Sequence, residues 1–229
     1  MAASEPTIRP PQQPRSRASL ERVIAAGTKL LEEEGYEGFT LAKVSSMANV
    51  SIGSIYARVK SKDDLFYVIQ DRFMSSTERQ PGFTDVAAWE QLPAAELIVA
   101  AVREIGRVFQ EDAQLLRVFM HRGIVDDVVG SRSSASVSHF STSFEELVLT
   151  RRDEIVHPEP ELAVDVAFRM AWGTLARQIM YWPTFESQRA VAWDTLVDEL
   201  GKACVAYLLG SPPPAGTAAS KPTRSRRRA

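Results

Sequence analysis

The chain has 229 residues, a net charge of −2 and one cysteine, and 45% of its residues are hydrophobic. This length can hold one small and one medium domain with ample core. No apolar run approaches the length of a membrane span and the N-terminus lacks an apolar signal region, so we expect neither a membrane protein nor a secreted one. The lone Cys204 is expected to be a buried thiol rather than a redox sensor, in a reducing cytoplasm.

Charge is distributed unevenly along the chain. Residues 81–210 carry a net charge of −8, residues 1–80 carry +1, and residues 211–229 carry +5. Such asymmetry is typical of a protein that binds nucleic acid at one end and has another task at the other.

Both ends of the chain are predicted to be disordered and basic. Residues 1–15 are rich in Pro and Gln, and residues 211–229 have a similar low-complexity composition. Arginines of the first segment either form an arm that enters a DNA minor groove or stay solvated; they are Arg9, Arg15 and the adjacent Arg17. The Arg226–Arg228 run either adds nonspecific attraction to phosphates or is inert.

Two short helices joined by a tight turn are predicted at about residues 40–59. Thr40 is a good N-cap for the first helix. Apolar residues follow it at the spacing of one helix face, namely Leu41, Val44 and Met47. Asn49 comes where the chain must reverse, and asparagine tolerates the left-handed backbone that a turn demands. This pattern indicates a helix-turn-helix, although a plain helical hairpin in an all-α core is the alternative.

The second short helix places its polar side chains on one face. Ser51 caps it, and Ile55 and Val59 lie four residues apart on its inner face. In a helix-turn-helix the second helix lies in the major groove, and hydroxyl and basic groups around it contact phosphates. Ser61 is predicted to cap the next helix. The residues predicted to contact DNA are Thr40, Lys43, Ser51, Ile52, Gly53, Ser54, Tyr56, Arg58 and Lys62.

This segment resembles the TetR family of bacterial transcription regulators. The resemblance rests on Thr40, Leu41, Val44, Ala48, Asn49, Val50, Ser51, Gly53, Ile55, Tyr56, Val59 and Lys62, and upstream on Ala25–Gly27, Leu31, Glu34–Tyr36 and Phe39. It is specific over roughly residues 16–65, and beyond them only length and helical pattern agree. Two residues depart from the family pattern: Asn49 replaces the usual turn glycine, and Val59 replaces the usual aromatic residue.

The resemblance implies an all-α fold with two parts. Residues 16–62 are expected to form a three-helix DNA-binding domain, and residues 63–210 a larger helical ligand-binding and dimerisation domain. The pattern predicts helices at Asp64–Arg79, Ala94–Gln110, Leu115–His121, Val125–Arg152, Glu161–Trp182 and Arg189–Leu209. Because serine disfavours helix, we expect a break or irregular turn at Ser131–Ser138.

The last two predicted helices are the candidates for a homodimer interface. Small residues in the first permit close backbone approach, and they are Ala163, Ala167, Ala171, Gly173 and Ala176. The second carries Leu196, Val197, Leu200, Val205 and Leu208. In the resembled family two such helices from each subunit form a four-helix bundle. Alternatively, these helices only close the core of one chain.

Aromatic residues and methionines of the middle region are candidates for a ligand pocket, because such sites are mostly apolar with a few polar groups. The predicted lining residues are Phe109, Phe119, Met120, His139, Phe144, Met170 and Trp172. Ordinary core is the alternative for each of them, and His121 and His139 are either polar contacts in the pocket or surface histidines. Neither a metal nor a cofactor is expected, and no pattern of catalytic residues stands out.

Taken together, the residues and the resemblance predict a cytoplasmic, dimeric regulator, most often a repressor in this family. It would bind double-stranded DNA at a near-palindromic operator and respond to a small apolar effector. The alternatives are an all-helical small-molecule-binding protein without specific DNA binding, and a helical interaction protein.

Overall fold

The structure is a computed structural model that describes residues 14–77, 83, 89, 91–181 and 188–210. Within those residues the secondary structure consists of nine α-helices, a short 3₁₀ turn and no strand, which confirms the predicted all-α class. The helices are α1 (Pro14–Gly38), α2 (Leu41–Ala48), α3 (Ile52–Tyr56), α4 (Lys62–Thr77), α5 (Ala94–Glu111), α6 (Ala113–Gly123), α7 (Asp127–Leu149), α8 (Pro160–Tyr181) and α9 (Trp193–Leu209).

Helices α1–α3 form the head, α4 is the connecting helix, and α5–α9 form the body. The head begins two residues earlier than expected, since α1 starts at Pro14 inside the predicted N-terminal arm. The rest of that arm, residues 1–13, and the C-terminal tail, residues 211–229, lie outside the described residues.

The head is built around the aromatic ring of Phe66, which comes from α4. Helix α1 is interrupted at Gly35, whose φ of 67° is accessible to glycine at little cost. This kink turns the chain so that Tyr36 and Phe39 both reach Phe66, with ring centroids at 5.2 and 6.4 Å. The short helices α2 and α3 are held on this core by their own buried residues, including Val44 and Ile55.

The head and the body share part of one core. Phe119 of α6 is buried and contacts the rings of Phe66 at 5.5 Å and of Phe73 at 5.4 Å. Leu115 and Val129 of the body belong to the same buried cluster. The connecting helix therefore packs on the head at its start and on the body along its remaining turns.

The predicted break in the serine-rich segment is wrong. Helix α7 runs without interruption from Asp127 to Leu149. Ser136 is buried, and Ser133 accepts a hydrogen bond from the side chain of Gln70 at 3.1 Å. Tertiary packing of this kind outweighs the few tenths of a kcal/mol by which serine disfavours helix. Met47 of α2 also departs from the prediction, since it is 44% exposed instead of lying on the buried face.

Helices α5 and α9 approach each other closely in the body. A Cβ atom on Gly106 would lie 2.8 Å from a methyl carbon of Val197, and one on Gly201 would lie 3.3 Å from the Cα of Val99. Three of the small residues predicted for a dimer interface on α8 belong instead to this core, since Ala163, Ala167 and Ala171 are completely buried, whereas Gly173 is exposed. These alanines therefore pack against helices of the same chain. The sequence pattern did not reveal this, because periodicity alone does not show which apolar face of a helix turns inward.

Candidate DNA-binding surface and effector cavity

The turn between α2 and α3 is held by hydrogen bonds within the head. Asn49 adopts the left-handed conformation, with φ 49° and ψ 51°, as predicted. The Ser45 hydroxyl donates to the carbonyl of Val50 at 2.7 Å, and Arg22 Nε of α1 donates to the carbonyl of Ala48 at 3.3 Å. These bonds fix the orientation of α3 relative to the rest of the head.

The recognition helix α3 has the two faces expected from the sequence. Ile55 is 1% exposed and the adjoining Val59 is 4% exposed, so both pack inward. Ser51 caps the helix by accepting from the amide of Ser54 at 3.3 Å, and the two hydroxyls lie 2.8 Å apart. The outward residues are Ser51, Ile52, Gly53, Ser54 and Tyr56, while Arg58 is half-buried.

Neither the packing nor the backbone conformation of the head requires a glycine at position 53. A Cβ atom built on it would meet nothing within 4 Å, and its backbone is not in the left-handed region. Tyr56, one turn away on the same side, is 56% exposed. A missing side chain beside an exposed phenol leaves room for another molecule to approach the backbone closely.

The other predicted DNA contacts have partners inside the protein. Thr40 Oγ1 accepts from the amide of Lys43 at 3.3 Å and so caps α2. The ammonium group of Lys43 is paired with Glu34 and remains about half exposed. Lys62 Nζ lies 3.9 Å from the ring centroid of Tyr36, a cation–π contact at the base of the head.

The start of α4 is capped on both sides, as the predicted Ser61 cap requires. The amide of Asp64 donates to Ser61 Oγ at 3.1 Å, and the Asp64 carboxylate accepts from the amide of Ser61 at 3.0 Å and from that of Lys60 at 2.8 Å. This reciprocal arrangement is a capping box with aspartate in the third position. These hydrogen bonds fix the short connection between the recognition helix and α4.

A polar cluster that the sequence analysis did not find connects the head to the body. We call it the latch, and it consists of Tyr36, Asp63, Tyr67, Arg122 and Asp126. The guanidinium of Arg122 lies 4.2 Å from the Tyr36 ring centroid, 3.1 Å from the Asp126 carboxylate and 3.8 Å from that of Asp63. The phenol of Tyr36 donates to Asp63, and that of Tyr67 donates to Asp126 at 3.0 Å.

The environment of the latch favours the neutral form of both phenols. Burial and then the hydrogen bond to Asp126 raise the pKa of Tyr67 to about 12. Burial and the bond to Asp63 also raise the pKa of Tyr36. Asp126 additionally caps α7, accepting from the amides of Val128 at 3.1 Å and Val129 at 3.3 Å. The latch therefore binds the start of α4 to the junction of α6 and α7.

A cavity of about 360 Å³ lies in the body next to this junction. Three of the predicted pocket residues line it: Phe119, Met120 and Trp172. Its other lining residues come from α4 to α8 and are Phe73, Met74, Val108, Leu116, Gly123, Ile124, Gly130, Ser133, Ser136, Val137, Phe140, Ala176 and Met180. Its volume falls in the range usual for small-molecule sites.

The remaining predicted pocket residues lie elsewhere. Phe109 lines a neighbouring cavity of about 310 Å³. Phe144 is fully buried in the body core, whereas Met170 is half-buried and His139 is exposed; none of the three lines either cavity. His121 is exposed, and its Nε2 lies 3.3 Å from the carbonyl of Met180 at the edge of the larger cavity.

Gln70 of α4 is a buried polar residue that the sequence pattern did not reveal, and it contacts Ser133 in the wall of the larger cavity. It is 0% exposed, and its Nε2 donates to the carbonyl of Val129 and to Ser133 Oγ, both at 3.1 Å. Its Oε1 atom accepts no hydrogen bond from the described residues. A buried acceptor without a donor is costly, so this atom calls for an explanation.

Cys204 is buried, as predicted, in the body core. Its Sγ donates to the carbonyl of Ala167 at 3.7 Å, and burial raises the pKa of the thiol to about 11. The thiol therefore stays protonated at neutral pH, which makes it a poor nucleophile.

Residues 23–68, which contain most of the head and the start of α4, match the model of the family described as bacterial regulatory proteins, tetR family. The chain therefore contains a segment that resembles the DNA-binding part of tetR-family regulators. This family is a class of transcription regulators rather than a class of enzymes. In the part of the chain that the structure describes, no helix is long and apolar enough to cross a membrane.

Individual proteins are similar to the chain in sequence or in fold. The chain is 26% identical over 117 residues to the HTH-type transcriptional repressor DrrR1 of Streptomyces coeruleorubidus; this match covers 51% of the chain and only 41% of the repressor. Among solved structures, a transcriptional regulator from Rhodococcus sp. Rha1 superposes with a TM-score of 0.61 at 19% identity, over 85% of this chain and 100% of that one. The transcriptional regulator FadR from Bacillus subtilis, solved in complex with stearoyl-CoA, gives 0.59 at 18% identity, over 83% and 98%. At these identities the structures show a shared fold.

Proposed function

We propose that this protein is a dimeric, non-enzymatic transcription regulator of the cytoplasm, and specifically a repressor that releases its operator when a small apolar effector binds. Residues 16–62 would bind double-stranded DNA, and residues 63–210 would bind the effector and form the dimer. The observation that carries the proposal is the outward face of α3, where Gly53 and Tyr56 are exposed on a helix that the head holds rigidly.

The geometry of the head supports a division of labour among its residues. The N-terminal side chains of a recognition helix meet base edges, so Ser51, Ile52 and Ser54 would determine sequence preference. Hydroxyl and ammonium groups position a protein by contacting phosphates. Tyr56 and Lys62 would have that role, together with Thr40, Lys43 and Arg58.

Dimerisation would use the outward faces of α8 and α9. On α8 these faces carry Leu162, Val166 and Gly173, and a Cβ atom on Gly173 would meet nothing within 4 Å. On α9 they carry the exposed Ala203 beside Leu200, which is half-buried against the body core. Apolar residues beside an unobstructed glycine allow a second copy to pack closely, and a twofold axis is the commonest symmetry of such pairs. The two recognition helices would then meet successive major grooves about 34–36 Å apart.

The effector would act through α4. Phe73 and Met74 on its last turns line the 360 Å³ cavity, and Lys62 at its first turn follows the recognition helix. The latch lies beside Gly123 and Ile124, which also line the cavity. A ligand that repacks these residues would shift the balance between two head spacings, but only by its difference in affinity for the two states.

Fluorescence anisotropy with DNA from the region upstream of its own gene, at two salt concentrations, tests the proposal. We expect specific binding that weakens as salt rises. Tyr56→Phe and Lys62→Ala should weaken binding to all sequences alike, and Lys62→Ala should lower the salt slope by about one. Ser54→Ala, in contrast, should change which bases are preferred. Binding that is neither specific nor salt-dependent would favour the alternative, an all-helical small-molecule-binding or interaction protein.

A further inference from the structure

The 360 Å³ cavity has walls of a particular chemistry. Aromatic rings line it from four helices: Phe73 and Phe119 lie 5.4 Å apart between centroids, and Phe140 and Trp172 lie 5.7 Å apart. Methionines also line it, and a flexible thioether adapts to a flat ring and makes favourable contacts at its edge. This combination suits an aromatic guest.

Among the described residues, no charged side chain lines the same cavity. Its hydroxyl groups are those of Ser133 and Ser136, one turn apart on α7. A carboxylate or an ammonium group moved from water into such walls would lose its hydration without gaining a counter-charge, which costs far more than one serine hydrogen bond returns. The lining therefore discriminates against charged ligands.

The hydroxyl of Ser133 is left with a proton to donate. In a helix a serine commonly donates to the carbonyl four residues earlier, which here belongs to Val129. That carbonyl already accepts the helical amide of Ser133 and the side-chain Nε2 of Gln70, at 3.1 Å, so both of its lone pairs are used. Gln70 Nε2 also donates to Ser133 Oγ and so occupies one lone pair of the hydroxyl.

The orientation of the Gln70 carboxamide is fixed by the same carbonyl. If the amide were flipped, its oxygen would face the oxygen of Val129, and two acceptors would oppose each other. Nε2 must therefore point to Val129 and Ser133, which leaves Oε1 buried without a donor. The Ser133 hydroxyl in the cavity wall thus has a proton to give, while the amide oxygen of its neighbour Gln70 is buried without a donor.

We propose that the cavity binds an uncharged aromatic molecule carrying an oxygen substituent, which accepts a hydrogen bond from Ser133. Gln70 is the positioning residue that holds Ser133 in this orientation. Gln70 belongs to α4 and donates a hydrogen bond to Ser133. A ligand oxygen bonded to Ser133 is therefore connected through Gln70 to the helix that follows the recognition helix. This inference rests on the proposed function for its effect on DNA, whereas the binding chemistry stands without it.

Three naphthalene probes test the ligand class: naphthalene, 2-naphthol and 2-naphthoate. Isothermal titration calorimetry on the full chain without DNA should give binding of naphthalene and about fivefold to tenfold tighter binding of 2-naphthol, the effect of one net hydrogen bond. Binding of 2-naphthoate should be at least tenfold weaker than that of 2-naphthol. Binding of the carboxylate as tight as that of the phenol, or no binding of any probe, would overturn the proposal.

Substitutions on α7 test the residue. Ser133→Ala should leave the affinity for naphthalene unchanged and abolish the preference for 2-naphthol, whereas the matched Ser134→Ala, on the exposed face of α7, should preserve it. Gln70→Met should reduce the preference at least threefold without weakening the binding of naphthalene. A preference that survives in Ser133→Ala would overturn the assignment.

Two further measurements keep the tests independent. Ala176→Phe fills the cavity from α8 and should prevent the binding of all three probes, which ties the binding to this cavity; undiminished binding would place the probes elsewhere and overturn the proposal. Anisotropy with operator DNA is measured separately. Probes that bind with the predicted preference but leave DNA binding unchanged would contradict the effector role and not the ligand class.

Discussion

The head and the body are built from the same kind of amphipathic helix, but they differ in what their polar side chains do. In the head, Thr40, Ser51 and Ser61 cap helices, and Ser45 holds the turn. In the body, a cavity persists within the core, and beside it Gln70 keeps a buried acceptor without a donor. The polar side chains of the head therefore stabilise one conformation, whereas the cavity in the body leaves space in which side chains can repack.

Removing a buried ring should distinguish the two regions most strongly. Phe66→Ala deletes a ring that Tyr36, Phe39, Tyr67 and Phe119 all contact, and it should cost about 3–5 kcal/mol of unfolding free energy. Phe140→Ala, at the half-buried cavity wall, should cost less than half as much because it enlarges existing space. Urea denaturation of both variants measures the difference, and equal costs would contradict the contrast.

The latch is where the two regions meet, and Arg122 is its centre. Arg122→Met keeps the length of the side chain but loses the cation–π contact with Tyr36 and the pairing with Asp126, so it should cost about 1–2 kcal/mol. Arg103→Met, which breaks the exposed pair with Asp198, is the control and should cost less stability than Arg122→Met, because solvent screens an exposed pair. Thermal unfolding compares them; a latch variant no less stable than the control would show that the head is held by apolar packing alone.

Two glycines offer a matched comparison, because a Cβ atom would meet nothing within 4 Å at either Gly53 or Gly173. Neither Gly53→Ala nor Gly173→Ala should destabilise the chain, since alanine favours helix by about 1 kcal/mol over glycine. Gly53→Ala should weaken DNA binding about fivefold to tenfold without affecting dimerisation. Gly173→Ala should weaken the dimer, as measured by sedimentation at several concentrations. If both variants changed DNA binding and dimerisation in the same way, the separate assignment of Gly53 to DNA contact and of Gly173 to the dimer interface would be wrong.

The smallest expected effect concerns pH. The pKa of Tyr67 is raised from its ordinary value of 10 to about 12 in the folded chain, so the stability it contributes is complete below pH 10 and is lost as the pH rises toward 12. Asp126, Asp63 and Arg122 surround it. The difference in melting temperature between the wild type and Tyr67→Phe should therefore shrink from pH 9 to pH 11. A difference that stays constant over this range would show that the phenol does not titrate as described.

The features of the head that the sequence predicted correctly are all local. A cap such as Thr40 or Ser61, an asparagine at a turn and the spacing of Ile55 and Val59 lie within a few residues of their partners, so the chain order reveals them. The latch was missed because its members come from residues 36 to 126 and meet only after α6 and α7 fold onto α4. The same holds for Gln70 and Ser133, which are far apart in sequence.

The body also shows where a helical pattern misleads. Alanines on α8 were assigned to a dimer face but lie in the core of the chain, because periodicity identifies a stripe of small residues without saying what it packs against. The serine-rich part of α7 was expected to break but is helical, because Ser133 and Ser136 have buried neighbours that compensate for weak propensity. Of the predicted pocket residues, only some line the larger cavity, namely Phe119, Met120 and Trp172. The others do not, because a pattern of aromatic residues and methionines in the sequence does not separate cavity lining from ordinary core.

The most direct test of the account is a DNase I footprint of the wild-type protein on the DNA upstream of its own gene. A dimer should protect two half-sites related by a near-palindrome, with centres about 34–36 Å apart or a multiple of that distance. Gly53→Ala should require a higher protein concentration to give the same pattern. A single protected half-site would contradict the dimer, and no protection at any salt concentration would contradict DNA reading by α3.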